Sequence, residues 1–385
     1  MTEHPLPPPI WVDTTRSLKQ MVDDLLSCEQ VAVDTESNSL FAYREQVCLI
    51  QFSTPKLDYL VDPLVLTDLS ALAAVFASHH IEKIFHAAEY DLICLKRDFH
   101  FEFHNIFDTM QAARILGRKK IGLGDILEEE FGIQLEKRYQ RANWGERPLS
   151  PAMLSYARLD THYLISLRNQ LADELNRKEL MPLAQEDFNY LAQNAAPNPE
   201  PQPLNAWKIS GGKDLTPQQH AVLQALIEYR DQQARLANLP PFKILPNEVL
   251  IHLAENAPQT TEELYQLRLL SPGQWRRHAA NVIHAIRSGL HTSPPPRNAN
   301  HRPNEDVLER MDVLKEWRKK TARQWGVESD VVLPRSILEK IAFSPPSCPA
   351  DLDALLRDFP WRREKFGHQI WQILQKKGVP HANSL

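Results

Sequence analysis

Two hydrophobic periods succeed each other along the chain. Val31-Ala-Val-Asp-Thr-Glu36, Gln46-Val-Cys-Leu-Ile-Gln-Phe52 and Leu57-Asp-Tyr-Leu-Val61 are short β-branched or aromatic runs bounded by polar turns, which predicts three strands. Short connections between them favour antiparallel pairing. Lys83-Ile-Phe-His86 predicts a fourth strand and Phe103–Phe107 a fifth. Helical spacing appears first at Leu18, Met21, Val22, Leu25 and Leu26, and from Thr109 onward it dominates. Helices are predicted over Thr109–Leu116, over Leu123–Phe131 with Gly132 just past its end, and as one long helix from Ser150, where a serine N-cap precedes Pro151. Successive strands followed by strand–helix alternation predict a mixed five-stranded sheet flanked by helices.

Two proline-rich stretches, Ala195–Pro203 and His291–Pro303, cannot sustain a ladder of backbone donors and read as linkers. The resulting division is 1–194, a linker at 195–212, a helical module at 213–290, a linker at 291–303 and a second helical module at 304–378. The modules look like a duplication. Tyr229-Arg230 and Pro246 match Trp317-Arg318 and Pro334 at a shared offset of 88, and Trp275-Arg-Arg277 answers Trp361-Arg-Arg363 at a slightly different spacing.

Composition changes this picture little. The chain has 385 residues, 43% hydrophobic, with a net charge of −5, so any basic footprint for nucleic acid must be local. Cys28, Cys48, Cys94 and Cys348 are scattered, as expected of reduced thiols in the cytoplasm. The segment Met1–Val12 lacks the apolar stretch of a signal peptide, and no run is long enough to span a bilayer.

The chemistry begins with Asp34 and Glu36, which period-two geometry sends to one face of an otherwise apolar strand. Carboxylates held close repel and resist desolvation unless cations compensate them, and oxygen ligands of this kind suit Mg²⁺ or Mn²⁺. Asp91 falls just inside the helix after the fourth strand, where an acid also serves as a dipole stabiliser. Tyr156 and Asp160 share one helix face. Leu40 and Phe41 follow the acidic strand closely and can stack on terminal bases, core packing being an equal reading for Phe41. Trp144 and Arg147 sit on a loop where an indole and a guanidinium can meet a base and a phosphate, or anchor the loop. His86 reads as a satisfied strand-end histidine, and Asp108-Thr109 as a helix N-cap.

An acid-x-acid strand, a strand-then-helix acid and a Tyr-x-x-x-Asp helix, in this order, resemble the ribonuclease D family of the DEDD exonuclease superfamily. The tyrosine branch is indicated, because Ser155 occupies the position of the histidine in the other branch. Leu49-Ile-Gln51, Phe107-Asp-Thr109 and Trp144-Gly-Glu-Arg-Pro-Leu149 are also similar to that family, and the helical modules resemble HRDC domains. The second module lacks the Pro-Phe of Pro241-Phe-Lys-Ile-Leu-Pro246, having Ser329-Asp-Val-Val-Leu-Pro334 instead.

The resemblance implies a ribonuclease H-like exonuclease domain followed by two all-α HRDC-like bundles. It implies Asp34, Glu36, Asp91, Tyr156 and Asp160 as catalytic residues, the four acids holding two divalent cations, Mg²⁺ or Mn²⁺. The expected reaction is 3′→5′ hydrolysis of RNA to nucleoside 5′-monophosphates, on tRNA precursors with single-stranded 3′ ends, by a cytoplasmic monomer. The rivals are a 3′→5′ DNA exonuclease and a non-catalytic nucleic-acid-binding protein.

Overall fold

The computed structural model describes residues 6–197, 203–296 and 303–375; the centres of both predicted linkers, and the last residues of the second module, lie outside them. The chain divides into two compact units, one comprising the residues up to Glu36, Val47–Pro197 and those from Pro303 on, the other Ser37–Gln46 with the residues from 198 to 302. No helix among the described residues is long and apolar enough to cross a membrane.

The first unit is built on a sheet of six strands rather than five, in the order β1-β4-β3-β2-β5-β6: Ile10–Val12, Asp58–Val61, Val47–Ser53, Gln30–Ser37, Glu82–Phe85 and Ile106–Asp108. The strand absent from the sequence expectation is β1, which runs parallel to β4 with Ile10 opposite Tyr59. Its three residues are too few to display a period, and tertiary pairing alone makes them a strand. The β3–β4 pair is antiparallel, while β2–β5 and β5–β6 are parallel, so the sheet is mixed.

Every residue of β3 is buried, as a central strand covered on both faces requires. On one face Phe52 packs on Phe76 (ring centroids 5.8 Å apart), which in turn meets Phe101 and Phe103. On the other, Leu49 and Leu60 meet Tyr156 and Ala157 of α6 (Pro151–His162), and Ser53 Oγ lies 2.7 Å from Thr161 Oγ1. Ser150 accepts from Met153 N at 3.2 Å and Pro151 opens the helix, as the sequence implied. The expected long helix is two, however: Tyr163 (φ −95°, ψ −5°) separates α6 from α7, Leu164–Arg177.

Turn chemistry positions the remaining elements. Asp108 caps α4 (Thr109–Ile115) by accepting from Met110 N and Gln111 N, and also accepts from Ala87 N and Ala88 N at 3.0 Å. One buried carboxylate thereby ties the end of β6 to the turn, with Ala87 at φ +62°, that launches α3 (Glu89–Phe99). Gly132 ends α5 (Leu123–Phe131) in the left-handed region, φ +71°, as expected.

The helical modules are α9–α13 (Pro217–Ala237, Pro241–Ile244, Asn247–Asn256, Thr261–Gln266, Pro272–Leu290) and α14–α18 (Glu305–Trp325, Ser329–Val332, Arg335–Phe343, Pro349–Leu355, Pro360–Gln375). In the first, α13 crosses α9 so closely that a Cβ on Gly289 would lie 2.5 Å from Val222 Cα. The same bonds recur 88 residues apart. Arg230 Nη1 donates to Leu245 O at 3.1 Å and Arg318 Nη1 to Leu333 O at 3.0 Å. Gln274 Nε2 donates to Ile244 O and Arg362 Nε to Val332 O. Because α13 and α18 start at Pro272 and Pro360, the Trp-Arg-Arg motifs are not equivalent. The motif enters the second helix two residues earlier, a rotation of roughly 200° about the axis.

The second module packs on the sheet domain within the same unit. Val331 belongs to that domain's core, and Arg362, fully buried, pairs with Glu186 (3.1 Å) and Asp187 (2.8 Å) of α8 (Met181–Asn194).

Candidate active site

β2 runs apolar and fully buried through Val31-Ala-Val33 and emerges with Asp34, Thr35 and Glu36 at its far end. Carboxylate oxygens of Asp34, Glu36 and Asp160 lie within 4.8 Å of one another. Asp160 is there because α6 lies across β3 and turns its Tyr156–Asp160 edge toward β2. Asp91 comes from the first turn of α3: Thr35 Oγ1 donates to its Oδ1 at 2.5 Å. Thr35, between Asp34 and Glu36 on β2, thus holds Asp91 beside the strand end, close enough for the charges of Asp34 and Asp160 to be felt. A cavity of about 340 Å³ opens over Asp34, Glu36, Tyr156 and Asp160.

No described lysine or arginine forms an ion pair with any of these four acids. Their electrostatics follow. Burial, then Asp160, pushes the Asp34 carboxyl well above the usual range, and Glu36 is raised by burial and then by Asp34, Asp160 and Asp91. Asp91 is raised by burial and Asp34, against the pull of the Thr35 hydroxyl. Asp160 is pushed up to about 8 by burial, although the Tyr156 hydroxyl donates to it. The phenol of Tyr156 is itself raised by burial and the neighbouring carboxylates, so it is a hydrogen-bond donor and not a base.

These residues fit divalent cations: hard oxygen donors converge, partly or fully buried, with no ion pair to a described lysine or arginine. Among further residues that line the cavity without having been assigned to it from the sequence are four polar ones, His86, Asp125, Lys137 and Gln140. His86 Nδ1 lies 2.9 Å from Thr109 Oγ1, and burial lowers its pKa to about 4, so the ring is neutral at neutral pH. Lys137 and Gln140 sit on a short 3₁₀ segment, Lys137–Arg141, whose only sequence signal is its cluster of cations after α5.

Two expected substrate contacts are corrected. Trp144 is 1% exposed, packed with Cys48, Leu49 and Tyr156, and cannot reach a base. Arg147 binds both oxygens of buried Asp62 (2.6 and 2.8 Å) and donates to the carbonyls of Cys48, Trp144 and Glu146. Its guanidinium is saturated, so the pair anchors the loop. Leu40 and Phe41 belong to the second unit, where Leu40 is exposed and the Lys243 ammonium lies 4.1 Å above the Phe41 ring.

Comparison with known proteins agrees with this architecture. Residues 9–176 match the family model described as 3′–5′ exonuclease, and residues 219–286 and 307–374 each match the HRDC domain, again 88 apart. The fold and site therefore define a 3′–5′ exonuclease domain carrying two HRDC domains. Ribonuclease D of Bartonella henselae is 29% identical over 378 residues, covering 95% of this chain and 90% of that one. The exosome complex exonuclease RRP6 of Saccharomyces cerevisiae is 32% identical over 297 residues, 73% of this chain, and the chain spans 40% of its length. The catalytic core of RRP6 from Trypanosoma brucei superimposes with a TM-score of 0.66 at 28% identity, over 74% of this chain and 80% of that one. The chain belongs to the ribonuclease D and RRP6 family of 3′–5′ exonucleases.

Proposed function

We propose that this protein is a divalent-metal-dependent 3′→5′ exoribonuclease that releases nucleoside 5′-monophosphates from RNA, including the trailing 3′ ends of tRNA precursors, in the cytoplasm. The carrying observation is the cluster of Asp34, Glu36 and Asp160, with Asp91 close enough to feel the Asp34 charge and no ion pair from a described lysine or arginine to any of them. Asp34, Glu36 and Asp160 would hold one cation, and Asp91, oriented by Thr35, would complete a second site with Asp34. When bound, two such ions supply water activation and charge neutralisation at the scissile phosphate.

The protein's own groups orient the reaction. Tyr156 keeps its proton, donates to Asp160 and presents its hydroxyl oxygen to the attacking water. Asp108 holds the turn from which Asp91 projects. Lys137, on the cavity wall, offers an ammonium to a substrate phosphate. Leu40 and Phe41, a few residues beyond β2, offer apolar surface to the last bases. The first HRDC domain adds RNA contacts, while the second serves chiefly to support the nuclease domain.

The test is digestion of matched 5′-labelled RNA and DNA oligonucleotides by the full chain, with Mg²⁺, with Mn²⁺ and with EDTA. Stepwise shortening of RNA from its 3′ end with release of mononucleotides, abolished by EDTA, is expected. Hydrolysis undiminished by chelator, preference for DNA, or no hydrolysis would each overturn the reading.

A further inference from the structure

The duplication supplies an internal control. Between α12 and α13 the first HRDC domain carries a cavity of about 390 Å³ lined by Leu264, Tyr265, Arg268, Leu270, Trp275 and Arg276. Tyr265 is 64% exposed and meets Trp275 edge to face, the ring centroids 5.4 Å apart. Arg268 and Arg276 are exposed and form no ion pair with a described residue. Two aromatic walls with two uncompensated guanidiniums at the rim match an unpaired base attached to a phosphate.

At the 88-residue offset, Tyr265, Arg268, Trp275 and Arg276 correspond to Asp353, Leu356, Arg363 and Glu364. Both aromatic walls and both cations are gone, and two acids have appeared. What the second domain has gained is a means of docking on an acidic helix. Arg362 stands where the first domain has Gln274, and Trp361 where it has Gly273; Trp361 N and Arg362 N donate to Glu186 Oε1, and the Arg362 guanidinium binds Glu186 and Asp187. The first domain lacks that equipment, which argues against an acidic protein helix as its occupant.

We infer that the Tyr265–Arg268–Trp275–Arg276 cavity of the first HRDC domain is a nucleotide-binding site for unpaired RNA, stacking a base on Tyr265 and holding the adjoining phosphate with Arg268 and Arg276. This rests on the exoribonuclease reading and extends it: the duplicated domains have divided the work, one holding RNA and the other holding the nuclease domain.

The experiment uses the full chain in EDTA, so that no hydrolysis intervenes, and a fluorescent hairpin RNA with a single-stranded 3′ tail, followed by anisotropy across a salt series. Arg268→Leu with Arg276→Glu installs the second domain's residues, and Tyr265→Ala removes the stacking ring; Trp275, half-buried against the domain's own core, is left alone. The charge variant should bind roughly tenfold more weakly, with a salt slope smaller by about 1.5, and Tyr265→Ala should lose roughly fivefold or more. Both should melt like the parent, and the parent should hydrolyse a tetranucleotide in Mg²⁺.

Unchanged affinity and slope in the charge variant would overturn the site, as expected if an acidic protein segment were its occupant. A loss confined to the charge variant, with Tyr265→Ala unaffected, would overturn base stacking there. Failure of the parent itself to hydrolyse the tetranucleotide would refute the nuclease reading while leaving the binding result intact.

Discussion

Two groups of acids in the first unit, each partly or fully buried, have opposite fates. Glu186 and Asp187 on α8 face Arg362, whose guanidinium, with the backbone N–H groups of Trp361 and Arg362, satisfies them inside the protein. Asp34, Glu36 and Asp160 cluster, Asp91 lies near enough to Asp34 to be raised by it, and no described lysine or arginine pairs with any of the four. Burial is the largest influence raising Glu186 too, but Arg362 pulls it back down. At the strand end only Thr35, Tyr156 and backbone N–H groups pull down, and like charges add to the burial. A buried acid cluster that the chain neutralises is structural. One that it leaves uncompensated is a site for something supplied from outside.

The strongest way to break this contrast is Asp34→Ala. Hydrolysis should fall about a thousandfold or more and Mn²⁺ binding by calorimetry should vanish, while metal-free stability rises as one of the repelling carboxylates is removed. Added Mg²⁺ should raise the melting temperature of the parent and not of this variant; equal stabilisation of both would dissolve the distinction between the clusters.

Arg362→Ala strips the structural cluster of its cation and should cost about 3–5 kcal/mol in chemical denaturation. A loss below about 1 kcal/mol would mean that Glu186 and Asp187 need no partner. Tyr156→Phe comes next, with turnover reduced about a hundredfold and Mn²⁺ affinity kept, separating orientation of water from binding of metal.

The smallest effect concerns a buried cation with no acid. Lys83 is fully buried in β5, donates to Ser78 O and Ile81 O, and has its pKa lowered by burial to about 8. Between about 8 and 10.5 the unfolded chain holds more protons than the folded one, so stability gains from rising pH in that window. Measured against Lys83→Met, the parent should gain about 2–3 kcal/mol from pH 8 to pH 10.5. A flat difference would show that the carbonyls suffice to keep the ammonium charged.

Much of the site was legible because its residues announce themselves locally. Asp34 and Glu36 interrupt an apolar strand, Asp91 opens a helix, and Tyr156 and Asp160 share a helical face. What stayed hidden depends on partners distant in the chain. Arg147 reads as a free cation on a loop until Asp62, 85 residues earlier, is seen to occupy it. Trp144 reads equally as a base contact or a loop anchor until α6 and β3 are seen to close over it. His86, at the end of β5, and Lys137 and Gln140, on one short 3₁₀ segment, join the cavity from places far apart in the chain. The sixth strand was illegible for a related reason, since Ile10–Val12 are strand only because β4 lies alongside them.

The duplicated domains show the same division of information. Their kinship can be read along the chain, because a repeated offset survives in Arg230 and Arg318 and in Pro246 and Pro334. Their different employment cannot, because Trp-Arg-Arg looks alike in both and only the helix starts at Pro272 and Pro360 reveal which face each copy presents. Local patterns specify which residues are available and what elements they form, since periodicity and capping act over a few positions. Whether a given charge ends up neutralised, exposed or awaiting a cation is settled by long-range packing, because Coulomb and desolvation energies depend on separation and burial in space, not on distance along the chain.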